Sequence, residues 1–203
     1  PLRTSFAVHG AGRVPAVEAL DLEKGEVERG DFGGVKVNEF MQSPSNPLVY
    51  SGGDCADSPG WQLTPVAGME GRVAALNMLE GNRHRPNYLA TPTVVFTIPN
   101  LARVGLSEEE ARALNLDFYV NMEDITNWFS FRRIGADCAA FKVLIERKTK
   151  KILGAHVLGH HSAEVTNLFA LAIRHGLTTD QIKETLFAYP THGSDISHMV
   201  KDE

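Results

Sequence analysis

Apolar and polar positions fall into two patterns that meet between residues 82 and 91. Before that point, short apolar runs at 5–9, 35–37 and 49–51 predict strands. One helix follows over about residues 65–80, with Val66, Met69, Val73 and Leu76 stepping by three or four along one face. Ala67, Gly68, Ala74 and Ala75 keep part of it slim enough to approach a strand or a ligand closely. Gly81 stops it. Residues 82–90 are polar, carry Pro86, and read as a connector to an extended run opening at Pro92.

Past the connector the pattern is α+β. Residues 93–97 read as a strand. Ser107 with Glu110 forms a capping box, and Leu106 is placed to staple onto Ala111. Residues 118–122, 139–146 and 151–158 read as strands, the last two joined by the polar turn Arg147-Lys148-Thr149-Lys150. On the helix predicted over 163–175, Val165, Leu168, Phe169 and Ala172 form one stripe while Leu171 and Ile173 lie off it. Such a helix needs two burial partners: its own sheet and, most economically, a second subunit. Gly176 ends it, and Thr178 with Gln181 makes a second capping box for a helix over 180–187.

Composition adds mostly exclusions. The 203 residues, 43% hydrophobic and 22% charged, suit a folded chain of one or two domains. A net charge of −5 favours neither nucleic acid nor an anionic membrane surface as partner. No apolar run approaches the ~20 residues that cross a bilayer. No secretory leader is evident, and Pro1 in place of Met suggests an excised piece. Cys55 and Cys138 make no disulfide scaffold; they read as inert core residues in a cytoplasmic setting. Among eight histidines, His160 and His161 are adjacent on an extended segment and are expected to face opposite ways. No metal site is therefore expected.

The segment with most chemistry runs from Tyr50-Ser51-Gly52-Gly53-Asp54-Cys55-Ala56 to Gln62-Leu63-Thr64-Pro65-Val66-Ala67. It reads as strand, glycine turn, acid and helix start. Glycines let backbone approach a ligand, and Asp54 stands where open α/β sheets bind cofactors. Thr64 is placed to cap the helix with Pro65 at its first position. The helix start offers N–H donors and partial positive charge. An ordinary strand–turn–helix is the bland alternative.

Together with Gly10-Ala11-Gly12-Arg13-Val14-Pro15, Val35-Lys36-Val37-Asn38, Pro92-Thr93-Val94-Val95-Phe96-Thr97, Val104-Gly105-Leu106-Ser107-Glu108, Ile152-Leu153-Gly154-Ala155-His156, Phe169-Ala170-Leu171-Ala172-Ile173 and Tyr189-Pro190-Thr191, this segment resembles the carboxyl-terminal portion of the glutathione reductase-like pyridine nucleotide–disulfide oxidoreductases. The resemblance implies an incomplete α/β flavin-binding domain over 1–90 and an interface domain, mainly an antiparallel sheet with helices, over 91–203. It further implies FAD and NAD(P)H as cofactors of the complete enzyme and a homodimer formed through the second domain. Asp54 would accept a ribityl hydrogen bond, Thr64 would offer its N–H to the isoalloxazine, and Gly12, Gln62 and Val94 would line the nicotinamide side. The family's glycine-rich loops and redox-active cysteine pair do not occur in this sequence. The chain alone is thus expected to be inactive and without bound FAD, with a separate amino-terminal half as a further implied partner. A cofactor-free dimerisation or binding module is the rival reading.

One departure from the family pattern bears on substrate. Where those reductases carry a His before Pro-Thr and a Glu five residues on, this chain has Tyr189 and Ser194, with Asp195 next. A phenol of pKa ~10 does not exchange protons with thiols near neutrality as an imidazole of ~6.5 does. Three readings are open: Tyr189 packs and hydrogen-bonds at the flavin edge; His192 with Asp195 substitutes as the acid–base pair; or the electron acceptor, such as a quinone or a metal ion, needs no thiol protonation.

Overall fold

Few backbone groups pair as strands in the first part of the chain. In the computed structural model, which describes residues 3–203, β1 (Val35–Lys36) and β2 (Ala56–Asp57) lie parallel, Val35 opposite Ala56. Pro1 and Leu2, at the start of the first expected domain, lie outside the described residues. The strand predicted over 5–9 does not form: Phe6 is 87% and Val8 98% exposed, and nothing among the described residues pairs with that segment. The strand predicted over 49–51 is reduced to one bridge between Tyr50 and Gln42. An apolar run becomes a strand only where another backbone accepts its hydrogen bonds.

The helix α1 (Thr64–Glu80) holds this unit together. Its buried face is Val66, Glu70, Val73, Ala74 and Asn77, so the inward stripe runs through two polar residues, while Met69 and Leu76 are only half-buried. Both polar groups are satisfied, as burial requires. Glu70 accepts hydrogen bonds from the Gly53 N–H (2.6 Å), the Ser58 hydroxyl (2.6 Å) and the Tyr88 hydroxyl (2.7 Å). Asn77 donates to the Phe40 and His84 carbonyls and accepts from the Arg83 and His84 N–H groups. With so little sheet to lie on, the helix is stitched to loops instead.

By contact density the chain divides between Tyr88 and Leu89. The second unit is an antiparallel sheet in the order β3-β4-β7-β6-β5, built from β3 (Thr93–Val95), β4 (Leu101–Gly105), β5 (Phe118–Asp124), β6 (Ala140–Glu146) and β7 (Ile152–Leu158). The strand expected over 93–97 is shorter than predicted, and β4 was not anticipated. In β4 only Ala102 and Val104 are buried, on either side of the partly exposed Arg103, an alternation too short to stand out in the sequence. β6 and β7 pair as the expected hairpin with a register shift between Leu144 and Ile145, and Val143, Leu144, Ile145, Ala155 and Val157 are at most 1% exposed.

The helices are α2 (Glu108–Ala113), α3 (Phe129–Arg132), α4 (Ser162–His175), α5 (Thr179–Glu184) and α6 (Ile196–Met199). Both predicted capping boxes form, at Ser107/Glu110 and Thr178/Gln181. α5 stops short of the predicted 187, and Leu186 is 98% exposed. α4 buries Val165, Phe169 and Ala172 together with the polar Ser162 and Thr166, and ends at Gly176 in the left-handed region. Cys138 is exposed, which corrects the expectation of a core residue, while Cys55 is half-buried and packs against the cluster of Val17, Leu22, Val27 and Val35. No helix among the described residues is long and apolar enough to cross a membrane.

Candidate functional site

The turn after Tyr50 sits tightly on α1. A Cβ at Gly52 would come within 2.9 Å of the backbone of Glu70 and Gly71, and one at Gly53 (φ 77°) within 2.9 Å of the Ala67 Cβ. These glycines therefore serve helix packing, which corrects the expectation that they clear space for a ligand. They place Asp54, in a one-turn 3-10 segment, at the mouth of the unit.

α1 begins one residue earlier than predicted. Leu63 is its N-cap in an extended conformation, Thr64 is the first helical residue, Pro65 the second, and no side chain caps the end. Thr64 thus does not cap the helix, because its backbone is already helical. Its N–H, like that of Val66, makes no hydrogen bond among the described residues. The helix start is open to an acceptor.

Arg13 ties the mouth together, and nothing in the sequence pattern singled it out. Its guanidinium donates to Asp54 Oδ2 at 2.7 Å and to the Gln62 carbonyl at 2.8 Å. Asp54, Gln62 and the residue after Gly12 are thereby brought together beside the start of α1. Arg13 and Gln62 also line a cleft of about 690 Å³ with Phe32 and Trp61. The Asp54 side chain stays 47% exposed, so water screens this pair heavily. Val94, the remaining predicted residue, is half-buried on β3 in the other unit.

At the carboxyl end, Tyr189 is 76% exposed and stacks on Phe129 with ring centres 6.3 Å apart. His192 is 6% exposed. Its Nδ1 lies 3.9 Å from Asp195 Oδ2, beyond hydrogen-bond reach, and neither ring nitrogen has a partner. Asp195 is bonded by the Ser130 hydroxyl instead. The substitute His192–Asp195 pair therefore does not form in this structure. Burial, reinforced by His161, His160 and Arg133, pushes His192 down to about 4. His160 and His161 do not face opposite ways: their rings are 4.2 Å apart, because His161 takes a left-handed backbone (φ 59°) rather than an extended one. No group of three or more His, Cys, Asp or Glu among the described residues is arranged to hold a metal.

Known proteins place this architecture. The profile of the pyridine nucleotide-disulphide oxidoreductase dimerisation domain matches residues 91–200, and that of pyridine nucleotide-disulphide oxidoreductase matches residues 2–71. The chain belongs to this family. It is 46% identical over 181 residues to an uncharacterized 19.7 kDa protein in a mercuric resistance operon of Staphylococcus aureus, covering 89% of this chain and 100% of that one. It is 32% identical over 180 residues to a mercuric reductase of Bacillus cereus, covering 89% of this chain but 28% of that enzyme. Against a dihydrolipoyl dehydrogenase of Chlamydia pneumoniae the figures are 35% over 192 residues, 92% and 40%. The chain thus spans less than half the length of these two enzymes. Among solved structures, the HOCl-induced flavoprotein disulfide reductase RclA of Escherichia coli shares the fold with a TM-score of 0.83 at 24% identity, covering 94% of this chain and 43% of that one.

Proposed function

We propose that this chain forms the closing part of the flavin site and the dimer-forming domain of an FAD- and NAD(P)H-dependent oxidoreductase. The observation that carries the reading is Arg13 holding Asp54 and the Gln62 carbonyl together beside the open start of α1. Flavin, when bound, supplies the hydride chemistry; the chain's residues bind and orient. Asp54 is placed to accept from a ribityl hydroxyl. Arg13 shares or releases that carboxylate, at little cost because the pair is exposed. The Thr64 and Val66 N–H groups and the α1 dipole favour negative charge at the ring's pyrimidine edge. Gly12, Gln62 and Val94 are assigned to the nicotinamide side. With Tyr189 at the family's His position and His192 unpaired, a disulfide is a poor acceptor, and a quinone or metal ion suits the site better.

A second reading, a dimerisation module with no cofactor, draws support from the staphylococcal relative, whose full length this chain matches. A chimera separates the two: the amino-terminal part of the Bacillus cereus mercuric reductase followed by this chain. Retained FAD and NAD(P)H oxidation support the first reading; a folded, dimeric, colourless chimera supports the second. In a yellow chimera, Asp54→Ala is expected to weaken flavin retention about 10- to 100-fold, since hydrogen bonds to charged groups contribute ~1.5–3 kcal/mol. Oxidised glutathione is expected to turn over more slowly than a quinone.

A further inference from the structure

A second cavity, of about 390 Å³, opens beside the first turn of α4 and has no part in the flavin reading. Its lining is mostly apolar, with Val165 and Leu168 on one wall, and Arg133, His161, Glu164, Thr191 and His192 complete it. A tight turn sets the histidines there. A Cβ at Gly159 (φ 149°) would come within 2.8 Å of the Phe131 ring, so the chain presses onto Phe131 before turning through His160 and His161. The His192 ring lies 4.6 Å from Phe131, 5.1 Å from His161 and 5.8 Å from His160.

Two side chains of this cavity lack a partner among the described residues, and the helix beside it lacks a side-chain cap. His192 is 6% exposed with both ring nitrogens unbonded. A buried polar group left so costs stability and calls for a reason. The Arg133 guanidinium is exposed and makes no ion pair or hydrogen bond among the described residues. α4, fourteen residues long, has His161 as its N-cap and no side-chain cap, and Glu164 is the one acidic residue of its first turn. The opposing carboxylates are Glu164, 71% exposed and 3.7 Å from His161 Nδ1, turned largely to water, and Asp195, 3.9 Å from His192 Nδ1 but bonded by the Ser130 hydroxyl, with its carboxyl raised by burial. A cation is disfavoured there by Arg133 and the helix dipole.

We propose that this cavity binds a small organic anion, a carboxylate carried on an apolar body. The carboxylate would take the Arg133 guanidinium and an N–H of His192, and the body would lie against Val165 and Leu168. Guanidinium–carboxylate pairing is among the stronger polar contacts available, and the apolar wall favours an organic acid over an inorganic ion.

Benzoate is a direct probe on the full chain, followed by calorimetry and by the His192 ring-proton resonance. Expected are saturable one-to-one binding, at least about ten-fold tighter than for uncharged benzamide, a shift of the His192 resonance, and a loss of about ten-fold or more in Arg133→Gln. Arg133 is exposed, so that variant folds even if His192→Leu does not. Equal binding of benzoate and benzamide would reduce the cavity to an apolar hole and overturn the proposal. So would affinity untouched by Arg133→Gln, a His192 resonance that stays still at saturation, or no benzoate binding with zinc bound at the histidines instead.

Discussion

Glu70 and His192 are buried polar side chains with opposite fates. Glu70, 1% exposed, is met by three donors. Burial, reinforced by the bond to Glu70 and its charge, raises the Tyr88 hydroxyl, so that it stays protonated and donating. Glu70→Ala strands the Gly53 N–H and two hydroxyls and empties a packed position; a loss of about 3–5 kcal/mol in urea unfolding is expected, whereas Met69→Ala on the half-buried flank costs less. His192 has no such partners. Its folded-state pKa of about 4 lies below the ordinary ~6.5 of an unfolded chain. Between those values the unfolded state binds more protons, so stability rises with pH and is lost on acidification from about 6.5 towards about 4. Asp195 works the other way, because burial raises its carboxyl. The expected result is therefore a difference: the urea midpoint of His192→Leu depends less on pH across this window than that of the parent chain.

At the scale of elements, α4 separates two kinds of apolar side chain. Phe169 is fully buried in the monomer core, while Leu171 is 56% exposed on the other side of the helix. Truncating the two is therefore expected to have different effects. Phe169→Ala is predicted to cost ~2–5 kcal/mol of intrinsic stability at any protein concentration. Leu171→Ala should leave the monomer's unfolding transition nearly unchanged and act on association alone. Chemical denaturation at two concentrations tells these effects apart. Ser162 and Thr166, both buried, lie on the same inward face as Phe169, so α4 fits its sheet by shape as well as by hydrophobicity.

For the whole molecule, membership of a family with a dimerisation domain over 91–200 makes a two-fold assembly the expected solution state. Sedimentation should show a concentration-dependent dimer, weakened by replacing Leu171 with Asp; a monomer at every concentration would contradict it. The sequence alone determined most of the second unit. The β6–β7 hairpin, the capping boxes at Ser107 and Thr178, the α4 stripe and the stop at Gly176 all depend on neighbours close along the chain, where periodicity and turn chemistry act. It did not reveal β4, because only Ala102 and Val104 of its five residues are buried and so short an alternation carries little signal, nor the fate of residues 5–9, whose strand depended on a partner backbone. It also named Asp54, Gln62 and Thr64 without Arg13, which joins two of them across 41 and 49 positions. The meeting of His160, His161 and His192 was equally hidden. It follows from a left-handed backbone at His161 and from Gly159 packed on Phe131, and contacts between residues so far apart along the chain are decided only when the core closes.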